Sequence, residues 1–294
     1  GLPNVIHGIS FSIDSKEKIG VVGRTGSGKS TITLGLLRIL ELAEQDGKVG
    51  KLALDNKNIS EIGLHELRKK ITIIPQDPVL FTGTVRSNVD PFDEYPDSEI
   101  IDALKKVQIW DQIHEDAGTS ERKDLQRKQS SSAGKKKLKK SPSSMNADEL
   151  KLNMEIHDGG RNFSLGQRQL VCMARALVRK PKVLLMDEAT ASIDELTDHL
   201  IQKMIKTEFK DTTVITIAHR LNTIIQYDKI LVLDQGKIAE FEDPAGLLEK
   251  GSGYFAKLVK ENGPEFESKM KYLANHKNID AESGQAYENL EIES

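Results

Sequence analysis

The stretch "GRTGSGKS" (23–30) spaces Gly23, Gly28, Lys29 and Ser30 as G-x-x-x-x-G-K-[ST]. It lies between the apolar run "KIGVV" and the segment "TITLGLLRIL". Glycines let such a loop, here with Arg24, Thr25, Gly26 and Ser27 inside it, turn successive N–H groups into one concavity. A helix opening at Ser30 and Thr31 adds its positive end. That combination suits phosphate: Lys29 can reach the β- and γ-phosphates of a nucleotide, and the Ser30 hydroxyl can ligate Mg²⁺. The plain alternative is an ordinary Gly-rich strand-to-helix turn. A second stretch, "VLLMDE" (183–188), ends in adjacent acids, Asp187 and Glu188. Carboxylates at the C-terminal end of a buried strand lie where α/β sheets bind ligands. Asp187 would hold Mg²⁺ through water, and Glu188 would polarise an attacking water as general base. Taken alone, the pair could equally introduce the next turn and helix.

These groups need a scaffold, and hydrophobic patterning supplies its outline. Residues 6–14 alternate apolar and polar like a half-exposed strand. "KIGVV" is a short buried strand, and 47–60 read as β-structure turning at Asp55-Asn56. "ITIIPQ" is a further strand, stopped by Pro75. From Asp97 to about Glu115 the residues Ile100, Leu104, Val107 and Ile113 follow a helical spacing, and a second helix begins near Gly166. "KVLLMDE" and "TVITIAH" are near-continuous apolar runs of the kind parallel sheets bury on both faces. "KILVLDQGKIAEFE" resembles a hairpin turning at Gln235-Gly236. The expected fold is therefore α/β, with extra antiparallel strands near the start and a helical insertion in the middle.

The chain has 294 residues, 37% hydrophobic and 30% charged, with a net charge of −3. The charge is uneven. Residues 119–147 carry nine Lys/Arg against two acids, and 263–294 carry three Lys against seven acids. Both stretches are expected to lack fixed structure, having little apolar surface to offset ordering entropy. The remainder is acidic, so no nucleic-acid partner is expected. No apolar run approaches membrane-spanning length, the single Cys172 excludes an internal disulfide framework, and a start at Gly1 suggests a piece of a longer protein. Cys172 itself reads as a small buried residue.

At "FSLGQRQ" (163–169) the sequence resembles the "LSGGQ" signature of ATP-binding cassette (ABC) proteins. The form is that of the second nucleotide-binding domain of multidrug resistance-associated (subfamily C) transporters. "IIPQDPVLFTGTVRSNVDPFDEY" and "GQRQLVCMARALVRKPKVLLMDEATASID" are similar to that subfamily almost throughout. The resemblance implies a P-loop NTPase core of the ABC ATPase type, with an antiparallel β subdomain and an inserted α-helical subdomain at about 77–180, within a domain spanning 1–262. It implies ATP and Mg²⁺ as ligands, and a cytosolic position beside a membrane. The implied partners are a second nucleotide-binding domain and transmembrane domains reached through their cytoplasmic loops.

Residue roles follow from the match. Ser164, Gly166 and Gln167 would meet the γ-phosphate of a nucleotide held by the opposite domain; Ser164 and Gln167 also have the spacing of a plain helix capping box. Gln76 would sense Mg²⁺ and water, and His219 would contact the γ-phosphate, although a turn Gln beside Pro and a His after a strand are ordinary features. Ser192 and Asp194 would lie between paired domains. Departures are Phe163 and Leu165 within the signature, expected only to tune it, and Arg161, where relatives often carry an acid. Relatives also place an adenine-stacking aromatic upstream of "GLP", so weak ATP affinity is expected of this chain. The insert 119–147 reads as a solvated spacer, a phosphorylated segment at Ser130, Ser141, Ser143 or Ser144, or a surface for anionic lipid. The implied function is ATP hydrolysis that powers export. The main rival is a regulatory nucleotide sensor of a channel- or receptor-like member; a soluble cassette protein of translation or repair is disfavoured by the subfamily match.

Overall fold

The computed structural model describes residues 4–45, 48–113, 146–189, 193–218 and 220–276. Two compact units divide the chain: one comprises Gly1–Gln76, Pro181–Ala191 and Phe209–Ser294, the other Asp77–Lys180 and Ser192–Glu208.

The first unit is organised by a six-stranded sheet. Its strands are β1 (Lys18–Gly23), β2 (Ile71–Ile74), β3 (Val183–Asp187), β4 (Thr213–Ile217), β5 (Lys229–Asp234) and β6 (Lys237–Glu242). In space the order is β6-β5-β1-β4-β3-β2, all neighbours parallel except β5 with β6. The near-continuous apolar runs are central strands covered on both faces. Ile19, Val21, Leu185, Ile215, Ile217, Leu231 and Leu233 share one core cluster. Two expected turns form as read. Asp55 and Asn56 (φ 50° and 63°) close a two-residue ladder of Ala53–Leu54 with Lys57–Asn58, and Gln235-Gly236 (φ 47° and 74°) close the β5–β6 hairpin.

Two expectations fail in this unit. Residues 6–14 form no strand, because Gly8 takes φ 64° and the His7 N–H goes to the Gly236 carbonyl in the β5–β6 turn. The alternation is instead satisfied by packing: Phe11 meets Phe241 edge-on at 5.7 Å, and Ile13 packs on the core. The tail from 263 is likewise ordered at its beginning, where helix Pro264–Asn275 buries Met270, Leu273 and Ala274. Those residues sit on one helical face, a local apolar stripe masked by the acidic composition of the whole segment. The remainder of the tail lies outside the described residues.

In the second unit the spacing at 97–113 marks buried positions correctly, but the helix, Asp97–Lys106, is shorter than expected. Gln108 at φ 56° breaks it, and a 3₁₀ turn at Trp110–Gln112 follows. Helix Leu165–Arg179 buries Leu170, Met173, Ala174 and Cys172, the last with its thiol pKa pushed up by burial. Most of the basic insert, including its serines, lies outside the described residues; its final residues, Asn146 and Ala147, cap and begin helix Ala147–Leu152. No helix among the described residues is long and apolar enough to cross a membrane.

β1 tolerates no side chain at Gly20, where an added Cβ would lie 2.8 Å from Ile224 Cβ and 2.9 Å from Ile230 Cδ1. Gly20→Ala should therefore destabilise the chain by about 1–3 kcal/mol through overpacking. An unchanged denaturant midpoint would contradict this packing.

Candidate phosphate-binding site

The site is assembled at the C-terminal edge of the parallel strands. Val21 of β1 pairs with Ile217 of β4, and Ile217 pairs in turn with Asp187 of β3. One row of the sheet thus ties the start of the phosphate loop to the first of the two acids. Two strand spacings separate β1 from β3, about 10 Å. Beyond this row the Glu188 N–H still donates to Ile217 O at 3.0 Å, and Glu188 takes φ 50°. Left-handed backbone at a non-glycine residue costs about 1–2 kcal/mol and persists only where its surroundings hold it. Gln76 follows β2 by two residues and is exposed; Asp187 and Glu188 are half-buried. His219 and Ser192 lie outside the described residues.

The loop itself is closely determined. Ser27 N–H donates to Arg24 O at 3.1 Å, and Thr31 N–H to Gly28 O at 3.1 Å. Gly28 caps helix Lys29–Leu36 at φ 101°, and a Cβ there would come within 2.5 Å of Ile6 Cδ1. A Cβ on Gly23 would overlap the Leu233 carbonyl. Arg24, Thr25, Gly26 and Ser30 are exposed around the loop, whereas Ser27, Gly28 and Lys29 are buried.

Two polar groups in this loop are matched to a ligand. The Lys29 ammonium, 8% exposed, donates to Gly23 O at 2.8 Å and Arg24 O at 3.2 Å. Burial lowers its pKa, while the charges of Glu188 and Asp187 act in the opposite sense. Ser27 Oγ is buried and has no hydrogen-bond partner among the described residues, a state that costs about 1–3 kcal/mol unless a partner arrives. A nucleotide phosphate fits both: an acceptor for the ammonium and for the orphan hydroxyl. The exposed Ser30 hydroxyl and the half-buried Asp187 carboxylate are oxygen donors of the type Mg²⁺ takes, an ion that uses few protein ligands and completes its shell with water and phosphate. Among the described residues no cluster of three or more His, Cys, Asp or Glu could cage a metal.

The signature residues belong to the second unit. Ser164 caps helix Leu165–Arg179 in a full capping box: Gln167 N–H donates to Ser164 Oγ at 3.1 Å, and Ser164 N–H to Gln167 Oε1 at 2.9 Å. The Ser164 hydroxyl is exposed and accepts this bond, which leaves its own hydrogen available to donate. Gly166 is buried beneath the start of helix Glu195–Thr207; a Cβ would stand 3.0 Å from Thr197 Oγ1 and 3.2 Å from Asp194 Oδ2. Asp194 caps that helix, accepting from Thr197 N at 2.9 Å and Thr197 Oγ1 at 2.8 Å.

A family model described as ABC transporter matches residues 6–191. The chain belongs to the ABC transporter family. This ABC domain is 49% identical over 263 residues to "Pleiotropic ABC efflux transporter of multiple drugs YBT1" of Candida glabrata, covering 89% of this chain and 15% of the relative. It is 46% identical over 260 residues to "ABC transporter C family member 5" of Arabidopsis thaliana (88% and 15%). It is 44% identical over 262 residues to "ATP-dependent bile acid permease" of Saccharomyces cerevisiae (89% and 15%). Among solved structures, a bacterial Atm1-family ABC exporter with ATP bound superposes with a TM-score of 0.70 at 30% identity, covering 88% of this chain and 39% of that one. The chain is a nucleotide-binding domain of the subfamily C type, with the ABC ATPase fold, and spans about 15% of the length of these curated relatives.

Sequence patterning missed the support of the phosphate loop by Ile6 and by the β5–β6 turn. Neither carries a recognisable motif, and the Gln235-Gly236 pair signals only a hairpin.

The Asp194 carboxyl is held below the usual range by the bonds it accepts from Thr197. A carboxyl whose folded pKa is depressed stabilises the fold above its unfolded pKa and loses that contribution as pH falls through the folded value. The stability difference between the native chain and Asp194→Ala should therefore be complete above about pH 4 and shrink at lower pH. Denaturant midpoints measured across that range would show it; a pH-independent difference would exclude the carboxylate cap.

Proposed function

We propose that this domain binds and hydrolyses Mg-ATP to power export across a membrane by a subfamily C transporter, paired head to tail with a second nucleotide-binding domain. The observation that carries the reading is the buried Lys29 ammonium, held by two carbonyls of a phosphate loop that shares its sheet edge with Asp187 and Glu188. Lys29 would exchange its two loop carbonyls for phosphate oxygens, and the Ser27 hydroxyl would gain the partner it lacks among the described residues. Backbone N–H groups of Gly26–Thr31 would hold the phosphates at the helix N-terminus. Ser30, Gln76 and Asp187 would hold Mg²⁺, which when bound supplies charge neutralisation at the phosphates. Glu188, kept at the strand end by its bond to Ile217 O, would accept the proton of the attacking water, and His219 would orient the γ-phosphate.

Head-to-tail pairing is supported by the capped, exposed N-terminus at Ser164. It offers a second domain's nucleotide a hydroxyl donor and a positive helix end. Docking to transmembrane domains through their cytoplasmic loops is supported by three exposed apolar residues of the second unit, Val79, Phe81 and Phe92. Arg175 lies over the Phe81 ring at 5.7 Å and Arg179 over Phe92 at 5.9 Å, which fixes the two rings while leaving them open to solvent.

Lys29→Ala should weaken Mg-ATP binding about 10- to 100-fold, the worth of a charged hydrogen bond to phosphate, without loss of fold. Unchanged binding in calorimetric titration would refute the site. Glu188→Gln should keep binding and lower turnover about 10²–10⁴-fold. In the native chain, turnover per molecule should rise with chain concentration if two copies can complete each other's sites. Concentration-independent turnover would count against pairing.

A further inference from the structure

We propose that Gly236, at the tip of the β5–β6 hairpin, is a positioning residue for the phosphate loop. The inference rests on the nucleotide reading of that loop and adds the element that holds it in shape from outside. Gly236 N–H donates to Ser27 O at 3.1 Å, so the hairpin tip is bonded directly to the middle of the loop. On its other side Gly236 O accepts the His7 N–H at 2.8 Å. This second bond holds the segment whose Ile6 side chain stands against Gly28. One peptide position therefore restrains the loop twice, through Ser27 directly and through Ile6 onto Gly28. Two residues before the turn, the Leu233 carbonyl abuts Gly23, the first residue of the loop.

The tip is itself anchored. Tyr254 Oη–H donates to Asp234 Oδ2 at 3.1 Å. The N–H groups of Tyr254 and Phe255 donate to the two carboxylate oxygens of Glu240 at 3.0 and 2.8 Å. The hairpin is thus fixed at both strands by helix Tyr254–Lys260, and a rigid tip can transmit position to the loop.

Only glycine suits this position. Its φ of 74° disfavours a side chain, and a Cβ would overlap the Val5 carbonyl and lie 2.8 Å from His7 Cδ2. Gly236→Ala would displace residues 5–7, withdraw Ile6 from Gly28 and disturb the bond to Ser27. A matched control exists in the same unit: Gly251 has φ 65°, and a Cβ there meets nothing nearer than Glu249 O at 3.8 Å. Alanine at 251 imposes similar backbone strain without touching the loop.

The test uses the full chain in three forms, native, Gly236→Ala and Gly251→Ala, with thermal unfolding and calorimetric titration of Mg-ATP on each. Both variants should lose stability, but only Gly236→Ala should bind ATP more weakly, by about tenfold, the upper range for one net hydrogen bond. Native affinity in Gly236→Ala, or equal losses in the two variants, overturns the assignment while leaving the nucleotide reading intact. A native chain that does not bind ATP overturns both. Hydrogen exchange on the native chain gives a measurement independent of either variant's folding: saturating Mg-ATP should slow exchange at the Gly236 amide about tenfold, because an ordered loop holds the Ser27 carbonyl in place. An unchanged rate there also overturns the proposal.

Discussion

A buried ammonium is the constraint around which the phosphate loop is arranged. Lys29 is almost fully enclosed, and burial alone disfavours its charge. Two carbonyls of its own loop, Gly23 O and Arg24 O, stabilise that charge without neutralising it. Those carbonyls converge only if the backbone turns sharply at Gly23, where a side chain would strike Leu233 O. The requirement to satisfy one cation therefore dictates the backbone path of the loop. The same path leaves Ser27 Oγ enclosed and without a hydrogen-bond partner among the described residues, so the loop carries both a buried positive charge and an unmet polar group. Each is costly in isolation and favourable toward an anion.

The parallel sheet supplies the second half of the arrangement. Since the strands run in one direction, the ends of β1, β4, β3 and β2 open on the same edge. The row Val21–Ile217–Asp187 sets the loop and the acids at one level, although more than 150 residues separate them in sequence. Glu188 then departs from the strand in a left-handed conformation while its N–H stays on the ladder. The core beneath this edge is almost wholly aliphatic, and close packing of that kind makes the strand ends resistant to displacement.

In the second unit the same helix-end physics appears without a glycine loop. Ser164 and Gln167 satisfy each other's backbone donors, and Gly166 lets the Asp194–Thr197 cap approach closely. Two helix starts are thereby packed together within that unit. A side chain at 166 would separate them, which gives the small residue in this signature a packing reason independent of any ligand.

Much of this was legible along the chain. The glycine and lysine spacing marked the loop, the apolar run before Asp187 and Glu188 marked a central strand, and Ser164 with Gln167 spelled a capping box; each signal is local, since turn, strand and cap preferences act over a few residues. Patterning went astray where a local preference met a distant partner. Residues 6–14 alternate as a strand should, yet His7 bonds to Gly236 rather than to a neighbouring strand, and the acidic tail hides an apolar stripe that helix Pro264–Asn275 buries. Strand order, the common level of Asp187 with the phosphate loop, the orphan hydroxyl of Ser27 and the bond from Gly236 to its carbonyl were decided by tertiary structure alone. They depend on which segments share a ladder or a contact, and such long-range choices are made by burial of the whole core, a sum that no short stretch of sequence contains.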